Sequence, residues 1–239
     1  MRALRLLSRA LAALVVLTII SAGVGAVLYR LYVIDEPGDH ISREHILTLI
    51  GQESLVTFRD GETPIGAFFD DEHRQYVPYD RIPKAWVDAI TSSEDQRYFE
   101  HFGIDLWGLA RAMNQNIRAG QMVSGGSTLT MQTAENLFRP GTRDATGKMY
   151  EVIDTLRLEA HFSKEEILEF YANQFHVYGN GRGLGIAARY FFDKEVEELD
   201  VQECAFLAGL VKIPGRYNPF TGATEAEREL AKQKAQTRT

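Results

Sequence analysis

The sequence of 239 residues is poor in cysteine, with one residue, and in proline, with seven, and it has no acidic residue before Asp35. A lone Cys204 excludes an internal disulfide and gives no indication of the redox compartment. The hydrophobic fraction of 45% excludes a disordered or collagen-like chain, and the length suits one domain. From Asp35 onward there are 22 basic and 33 acidic residues. Because binding to nucleic acid depends on neutralising phosphates, we predict no nucleic-acid partner.

Charge is also absent from a long apolar run between Ala10 and Tyr29. A helix of that length spans about 30 Å, the thickness of the hydrocarbon core of a bilayer. Three arginines precede the run and acidic residues follow it. The positive-inside rule therefore predicts a cytoplasmic segment over residues 1–9, a transmembrane anchor over 10–32 and an outer location for the remainder. A cleaved signal peptide is the alternative, although its apolar region is usually only about 7–15 residues long.

After the anchor, the patterns predict a linker over residues 33–82 and a mainly helical domain over 83–239. The linker contains a predicted helix over Ser42–Ile50 and two predicted strands around the turn signal Asp60-Gly61. The charged tail after Thr221 has no helix-ending signal, so we expect the sequence to be truncated at this end. Helix starts within the domain are predicted at Asp105, Ser127, Ser163 and Asp200.

The first of four motifs with candidate chemistry is SSEDQRYFEHFG, over Ser92–Gly103. Glu94 shares a predicted apolar helix stripe with Trp86, and a partly desolvated carboxylate is suited to proton transfer. Asp95 is expected to point elsewhere on the helix and to stay ionised. A solvated acidic helix end explains the same letters. A metal site is not indicated by the spacing alone, because Glu94, Asp95 and His101 lack a compact ligand pattern.

The second motif is VSGGSTLTMQ, over Val123–Gln132. Its two glycines allow the backbone to turn and to approach a ligand closely. Ser127, Thr128 and the amides that follow them are expected to form a helix N-terminus, which is a common anion site. Ordinary helix capping is the alternative explanation of this motif.

The third motif is GKMYE, over Gly147–Glu151, and the fourth extends from Ser163 to Gly183. Lys148 and Glu151 are three residues apart, so both are expected on one helix face, as in an ordinary surface ion pair. Most of the fourth motif is typical of an amphipathic core helix. Asn173 and the glycines after Tyr178 are the positions that packing leaves unexplained.

The order and spacing of the four motifs resemble the peptidoglycan glycosyltransferases of family 51, the penicillin-binding-protein type. The signature of that family is E-D-x-x-F-x-x-H-x-G, G-x-S-T-x-T-Q-Q, R-K-x-x-E and K-x-x-I-L-x-x-Y-x-N with a later glycine. The resemblance covers the chain from about Leu55 to its end. The matching residues are, motif by motif, Glu94, Asp95, His101 and Gly103; Gly125, Ser127, Thr128, Thr130 and Gln132; Lys148 and Glu151; and Lys164, Ile167, Leu168, Tyr171, Asn173 and Gly179.

The resemblance implies a mainly α, lysozyme-like domain with a small β-hairpin, on the periplasmic face of the bacterial cytoplasmic membrane. It implies polymerisation of lipid II into glycan strands, with inversion and release of undecaprenyl diphosphate. Glu94 would be the general base, Glu151 would orient Lys148 or assist at the leaving group, and Asp95 would hold a divalent cation, Mg²⁺ or Mn²⁺. Expected partners are lipid II, the glycan strand, the membrane and proteins of cell-wall synthesis or division complexes. The implied substrate-binding residues are His101, Ser127, Thr128, Gln132, Arg143, Lys148, Lys164 and Asn173.

Four residues depart from the family pattern, and the first is Tyr98, which stands where phenylalanine is usual. Met131 replaces the first glutamine of a pair, Glu135 stands where lysine is common, and Gly147 stands where arginine precedes Lys148. Two cations expected near a diphosphate are therefore missing, and Arg139 is a candidate substitute. The alternatives are a lysozyme-like glycan hydrolase, in which a glutamate acts as general acid, and a membrane-anchored scaffold of the same fold with weak catalysis.

Overall fold

The computed structural model describes residues 2–51, 54–57, 64–68, 74–122, 125–139, 144–177 and 181–212. The predicted turn at Asp60-Gly61, together with Arg143, Gly179 and the charged tail, lies outside these ranges. The described helices are α1 (Arg2–Tyr29), α2 (Arg43–Leu49), α3 (Lys84–Glu94), α4 (Leu106–Ala119), α5 (Leu129–Phe138), α6 (Ala145–His161), α7 (Lys164–Ala172), α8 (Leu184–Phe192) and α9 (Val201–Lys212). The described strands are β1 (Ser54–Thr57), β2 (Pro64–Phe68), β3 (His176–Val177) and β4 (Gly181–Arg182).

The apolar N-terminal helix is as long as the sequence predicts. Residues Leu11–Asp35 form a stretch that is long and apolar enough to cross a membrane, and an 18-residue part of it has a mean hydropathy of 2.5. Helix α1 continues without interruption into a π-helical turn, Arg30–Asp35, in which Val33 is buried. The chain therefore passes from the apolar helix directly into packing against the domain.

The predicted linker contains the expected elements. Ser42 caps α2 by accepting a hydrogen bond from the amide of His45, and β1 pairs with β2 in antiparallel orientation. Ile46 and Ile50 of this region belong to the hydrophobic core. These two isoleucines of the predicted linker thus pack against the domain.

Helix starts follow the capping residues of the sequence closely. The Asp105 carboxylate accepts from the amide of Trp107 at the start of α4, and Ser163 forms the predicted capping box with Glu166. A second predicted box, between Asp200 and Glu203, is also formed. The start of α5 differs slightly, because Thr128 rather than Ser127 is its capping residue. Each cap satisfies amides that have no partner within the helix.

The core is centred on Trp86 of α3. Its ring stacks on Phe175 with centroids 6.0 Å apart and lies 6.4 Å from the ring of Tyr171. Helix α3 packs against α9, and α5 packs against both α6 and α7. This arrangement fixes the C-terminal end of α3 beside the N-terminal end of α5.

Helix α4 leaves its apolar stripe exposed. Leu106, Leu109, Met113 and Ile117 recur with helical spacing, and all four are exposed, Ile117 to 73%. Trp107 on the same helix is 75% exposed. Such a stripe usually faces a core, so its exposure is a property that the sequence pattern does not predict. We call the exposed side chains of Leu106, Leu109, Met113 and Ile117 the α4 wall.

Candidate active site

A cleft of about 520 Å³ opens where α3 ends, α5 begins and α4 passes alongside. Its size is that of a small-molecule site. Gly126 lies close to the α4 wall, because a Cβ there would come within 2.8 Å of Leu109 Cδ1. The lining residues are Ser92, Ser93, Glu94, Asp95, Gln96, Asp105, Gly108, Arg111, Gln115, Gly125, Gly126, Ser127, Thr128 and Gln132.

Glu94 is the last residue of α3 and lines the cleft. Its Oε1 atom is buried, as the predicted position at the edge of apolar packing requires. The side chain is near Tyr171, whose pKa is raised by burial and further by the negative charge of Glu94. Tyr171 therefore remains a neutral phenol and donates to Gln132 Oε1 at 3.2 Å. Gln132 also lines the cleft, so the phenol orients a predicted substrate-binding amide.

Asp95 lies just beyond α3, not within it. Its φ is −155°, so the chain leaves the helix at this residue. Asp95 is buried, and its Oδ1 and Oδ2 atoms each lie 3.0 Å from Nε2 of His101. Oδ2 also accepts from the amide of Leu129, the first residue of α5, at 3.0 Å.

The tautomer of His101 follows from its second nitrogen. The amide of Gly103 donates to His101 Nδ1 at 3.1 Å, so Nδ1 is an acceptor and Nε2 carries the proton donated to Asp95. Gly103 has a φ of +92°, and a Cβ there would lie 2.8 Å from atoms of both Thr155 and Glu159. Glycine is thus required for this turn, which holds the imidazole in place.

Thr128 completes this network. Its hydroxyl donates to the carbonyl of Gly103 at 2.6 Å and accepts from the amide of Met131 at 3.1 Å. We call Asp95, His101, Thr128 and the Leu129 amide the cleft floor. Because Leu129 and Met131 already donate to Asp95 and Thr128, the expected anion site at the free amides of α5 is largely used within the protein. Recognition of an anion is left to side chains around the cleft and to the glycine turn.

The residues around Asp95 do not provide the ligands of a divalent cation. Both carboxylate oxygens are engaged in the cleft floor, and no cluster of three or more potential metal-ligating side chains occurs in the described part of the chain. The divalent cation stays a prediction.

Lys148 and Glu151 meet as the third motif predicts. Lys148 Nζ lies 2.6 Å from Glu151 Oε1 on α6 and also donates to Ser127 Oγ at 3.3 Å. Glu151 is buried, whereas half of the Lys148 side chain is exposed. Since Ser127 lines the cleft, the hydroxyl connects the ion pair to the space where a ligand would lie. The pair thus offers a cation held in place by a buried carboxylate.

Two predicted substrate-binding residues lie elsewhere and hold the fold together. Lys164 pairs with Glu159 at 2.7 Å, and its Nζ lies 4.5 Å from the ring centroid of Tyr98. Asn173 is buried and forms a two-way clamp with the backbone of Val77, accepting from its amide at 2.7 Å and donating to its carbonyl at 2.8 Å. Neither residue lines the cleft. The unexplained asparagine of the fourth motif therefore has a structural explanation.

A cleft cation outside the predicted set is Arg111, on α4. The sequence does not predict this role, because the pattern of α4 is dominated by its apolar stripe. Arg111 follows Gly108 at the i+3 spacing, which places both residues on one face of the helix. Arg139, the candidate substitute for the missing cations, is directed to Asp154 at 3.5 Å and lies over the ring of Tyr150. Arg143 lies outside the described residues.

Comparison with known proteins shows which family the chain belongs to. The profile of the transglycosylase family matches residues 61–237. The chain belongs to the transglycosylase family. A relative called penicillin-binding protein 1A, from Neisseria flavescens, is 36% identical over 172 residues, which is 72% of this chain and 22% of the relative. The proteins of that name from Neisseria cinerea and Aquifex aeolicus are 38% identical over 168 residues and 41% identical over 149 residues.

Membership of the transglycosylase family confirms the predicted fold class. The domain is lysozyme-like and mostly helical, with a small antiparallel hairpin and an apolar N-terminal helix. The matches to the Neisseria flavescens and Neisseria cinerea proteins cover 70% or more of this chain. This chain spans only about a fifth of the length of these relatives, between 20% and 22% of each.

Proposed function

We propose that this transglycosylase domain is a membrane-anchored peptidoglycan glycosyltransferase that polymerises lipid II into glycan strands. The observation that supports this most is the arrangement around one cleft, which is lined by a carboxylate at a helix end and is connected through a hydroxyl to a cation held by a buried acid. Glu94 lines the cleft, and Ser127 links it to the Lys148–Glu151 pair. A base for a hydroxyl and a cation for a departing diphosphate are the two groups that this transfer needs.

Glu94 is the general base in this proposal. The 4-hydroxyl of the acceptor sugar loses its proton to the carboxylate as its oxygen attacks the anomeric carbon of the donor, and the bond from that carbon to the diphosphate breaks. A positioned base contributes a factor on the order of 100 to 10,000. Attack from the face opposite the diphosphate inverts an α-linked donor into a β-linked strand.

Lys148 stabilises the negative charge that develops on the leaving diphosphate. Glu151 keeps the ammonium in position from the buried side, and Ser127 adds a hydroxyl at the cleft surface. Arg111 supplies a second cation from α4. A guanidinium is suited to phosphate oxygens because it offers paired donors in one plane. These two cations take the role left open by Glu135 and Gly147.

The α4 wall supports a lipid substrate. An exposed apolar patch beside a cleft is typical of contact with a membrane or an apolar ligand. The lipid chain of lipid II stays in the bilayer, so a catalytic cleft must approach the membrane surface to reach the diphosphate. Leu109 lies against Gly126 of the cleft, which joins the wall directly to the turn that carries Ser127. The candidate membrane span before the domain keeps the protein at the same surface.

Lipid II supplied to the full chain in liposomes tests this function. We expect strands that migrate as a ladder on a gel, release of the lipid diphosphate, and digestion of the strands by lysozyme, which cleaves β-linked glycan. Cleavage of preformed glycan without synthesis would assign the cleft to a hydrolase instead. Binding of lipid II without either reaction would assign it to a scaffold.

The proposed topology places residues 1–9 in the cytoplasm and the domain on the periplasmic face. Protease added to spheroplasts should then degrade the domain and leave the N-terminal tag of a tagged chain protected. Degradation of the tag together with the domain would contradict this topology, and a tag already separated from the domain before protease is added would show that the segment is a cleaved signal peptide.

A further inference from the structure

The membrane-exit segment, which we define as residues 30–41, is fastened to α6. Arg157 Nε donates to the carbonyl of Tyr32 at 2.9 Å, and His161 Nε2 donates to the carbonyl of Val33 at 2.8 Å. Val33 and Ile41 of the segment are buried. No loop separates α1 from this contact, because the π-helical turn begins where α1 ends.

Asp154 of α6 is the polar centre of the contact. It is almost completely buried, and its Oδ1 atom lies 3.2 Å from His40 Nε2 and 3.0 Å from Arg157 Nη1. Its Oδ2 atom faces Arg139 Nε at 3.5 Å. His40 belongs to the exit segment and Arg139 follows the end of α5, so one carboxylate joins three parts of the chain. The His40 ring also meets Phe138 of α5 edge to face at 5.0 Å.

The same helix carries the proposed diphosphate site. Lys148, Glu151 and Asp154 follow one another at intervals of three residues, and Glu151 and Asp154 are both buried. A helix is stiff over two turns, so a rotation of α6 at Asp154 also moves Glu151 and Lys148. The exit segment and the catalytic ion pair are thus attached to one rigid element.

We propose that Asp154 is a positioning residue that sets the orientation of the cleft relative to the membrane anchor. This inference rests on the proposed function, because it matters only to an enzyme whose substrates lie in the bilayer. Apolar contacts of Val33 and Ile41 are not directional and would allow the domain to slide on the segment. Hydrogen bonds and ion pairs fix angles as well as distance. Asp154 supplies them on the face of α6 that meets the segment.

The test is Asp154→Asn in the full chain, with strand synthesis measured in liposomes and in detergent micelles. In liposomes the cleft must face a flat surface that holds both substrates, whereas micelles impose no such plane. We expect the liposome rate to fall by about tenfold and the micelle rate by no more than about twofold, since lost orientation lowers effective concentration at the surface. An equal fall in both systems overturns the proposal.

Two further variants separate positioning from stability. His40→Phe retains packing against Phe138 but removes the link to Asp154, and we expect a smaller shift in the same direction. Glu169→Gln is the matched control, because Glu169 is another buried carboxylate with an arginine partner, Arg43, but it does not contact the exit segment. It should lower the melting temperature without changing the ratio of the two rates. A changed ratio in this control overturns the proposal.

Tryptophan fluorescence gives a readout that does not depend on activity. The chain has two tryptophans: Trp86 is buried and Trp107 is exposed beside the α4 wall. Brominated lipids should quench Trp107 in the wild type and quench it less in Asp154→Asn, with Trp86 as a constant background. Equal quenching in both proteins, or none in the wild type, overturns the proposal. If the wild type makes no strands, the proposed function fails, while the quenching comparison still decides the role of Asp154.

Discussion

The two regions beside the cleft differ in the side chains that they bury and expose. The cleft floor buries polar groups and pairs them with one another, so Asp95, His101 and Thr128 have fixed partners within the protein. Among the described residues, the α4 wall leaves its apolar groups exposed. Glu94 lies where the two regions meet, next in sequence to Asp95. One family motif therefore combines the proposed reacting group, Glu94, with a buried group, Asp95, that holds the cleft floor together.

Replacing the proposed base separates Glu94 most sharply from its structural neighbour. Glu94→Gln keeps the size of the side chain but cannot accept a proton, so we expect strand synthesis to fall by about 100- to 10,000-fold. The melting temperature should not change, because Glu94 is not part of the cleft floor. The gel assay with lipid II in liposomes measures the rate.

Glu100→Gln is the matched control for this variant. Glu100 is an exposed glutamate six residues later, paired with Arg97 and absent from the lining of the cleft. It should retain the wild-type rate. Synthesis by Glu94→Gln within a few fold of the wild type would remove Glu94 from the mechanism.

Asp95→Asn should break the cleft floor. The amide would bring its own N–H group to a place where His101 and the Leu129 amide already donate. The carbonyl oxygen of asparagine can still accept one of these bonds, but the other donor is left facing an N–H group and the negative charge of the acceptor is lost, which should cost about 3 kcal/mol. For a domain of this size that lowers the melting temperature by roughly 6–12 °C.

Asp88→Asn, which removes an exposed ion pair with Lys84 on α3, provides the comparison for Asp95→Asn. It should change stability by less than about 0.5 kcal/mol. A wild-type melting temperature for Asp95→Asn would show that the hydrogen bonds of the cleft floor do not stabilise the domain.

A charge on the α4 wall tests the other region. Ile117→Glu should lower synthesis in liposomes by about 5- to 10-fold, because partial burial of isoleucine in lipid contributes less than the roughly 1.5–3 kcal/mol of full burial. Val201→Glu on α9 is the matched control, since Val201 is 72% exposed, like Ile117. Equal rates for the two variants would mean that the wall does not touch the membrane.

The sequence predicts local structure better than the destination of each side chain. Capping residues such as Asp105 and Ser163 correctly mark helix starts, because a cap depends on neighbours within one turn. The pairing of Lys148 with Glu151 is predicted for the same reason. Asn173 and Lys164 follow the family motif, but their partners, Val77 and Glu159, are chosen by tertiary packing.

The unpredicted features depend on contacts between distant parts of the chain. Periodicity reveals the apolar stripe of α4 but does not reveal whether another element covers it. The contact of His40 with Asp154 joins residues 114 positions apart. Arg111 belongs to the cleft only because α4 runs beside Gly126. Local spacing places Arg111 on the helix face of Gly108, but no spacing in the sequence shows which distant element that face meets.

The smallest expected effect concerns the missing cations. Glu135 lies one turn after the cleft residue Gln132 on α5, so Glu135→Lys should tighten binding of a lipid diphosphate by about threefold, since exposed charges are strongly screened. Gly147 is buried, so adding Gly147→Arg should lower the melting temperature and offer little further gain in binding. Glu100→Lys is the control for the same change of charge away from the cleft. Equal affinities for Glu135→Lys and the control would show that Glu135 does not influence the diphosphate.

In the proposed mechanism, Glu94 accepts the proton and Lys148 binds the diphosphate, so each residue has a separate role. Titration of a lipid diphosphate into Glu94→Gln and Lys148→Gln, both as full chains in liposomes, tests these roles most directly. Glu94→Gln should bind with the wild-type affinity, whereas Lys148→Gln should bind about tenfold more weakly, since a charged hydrogen bond contributes roughly 1.5–3 kcal/mol. Lost binding in Glu94→Gln together with unchanged binding in Lys148→Gln would contradict the account.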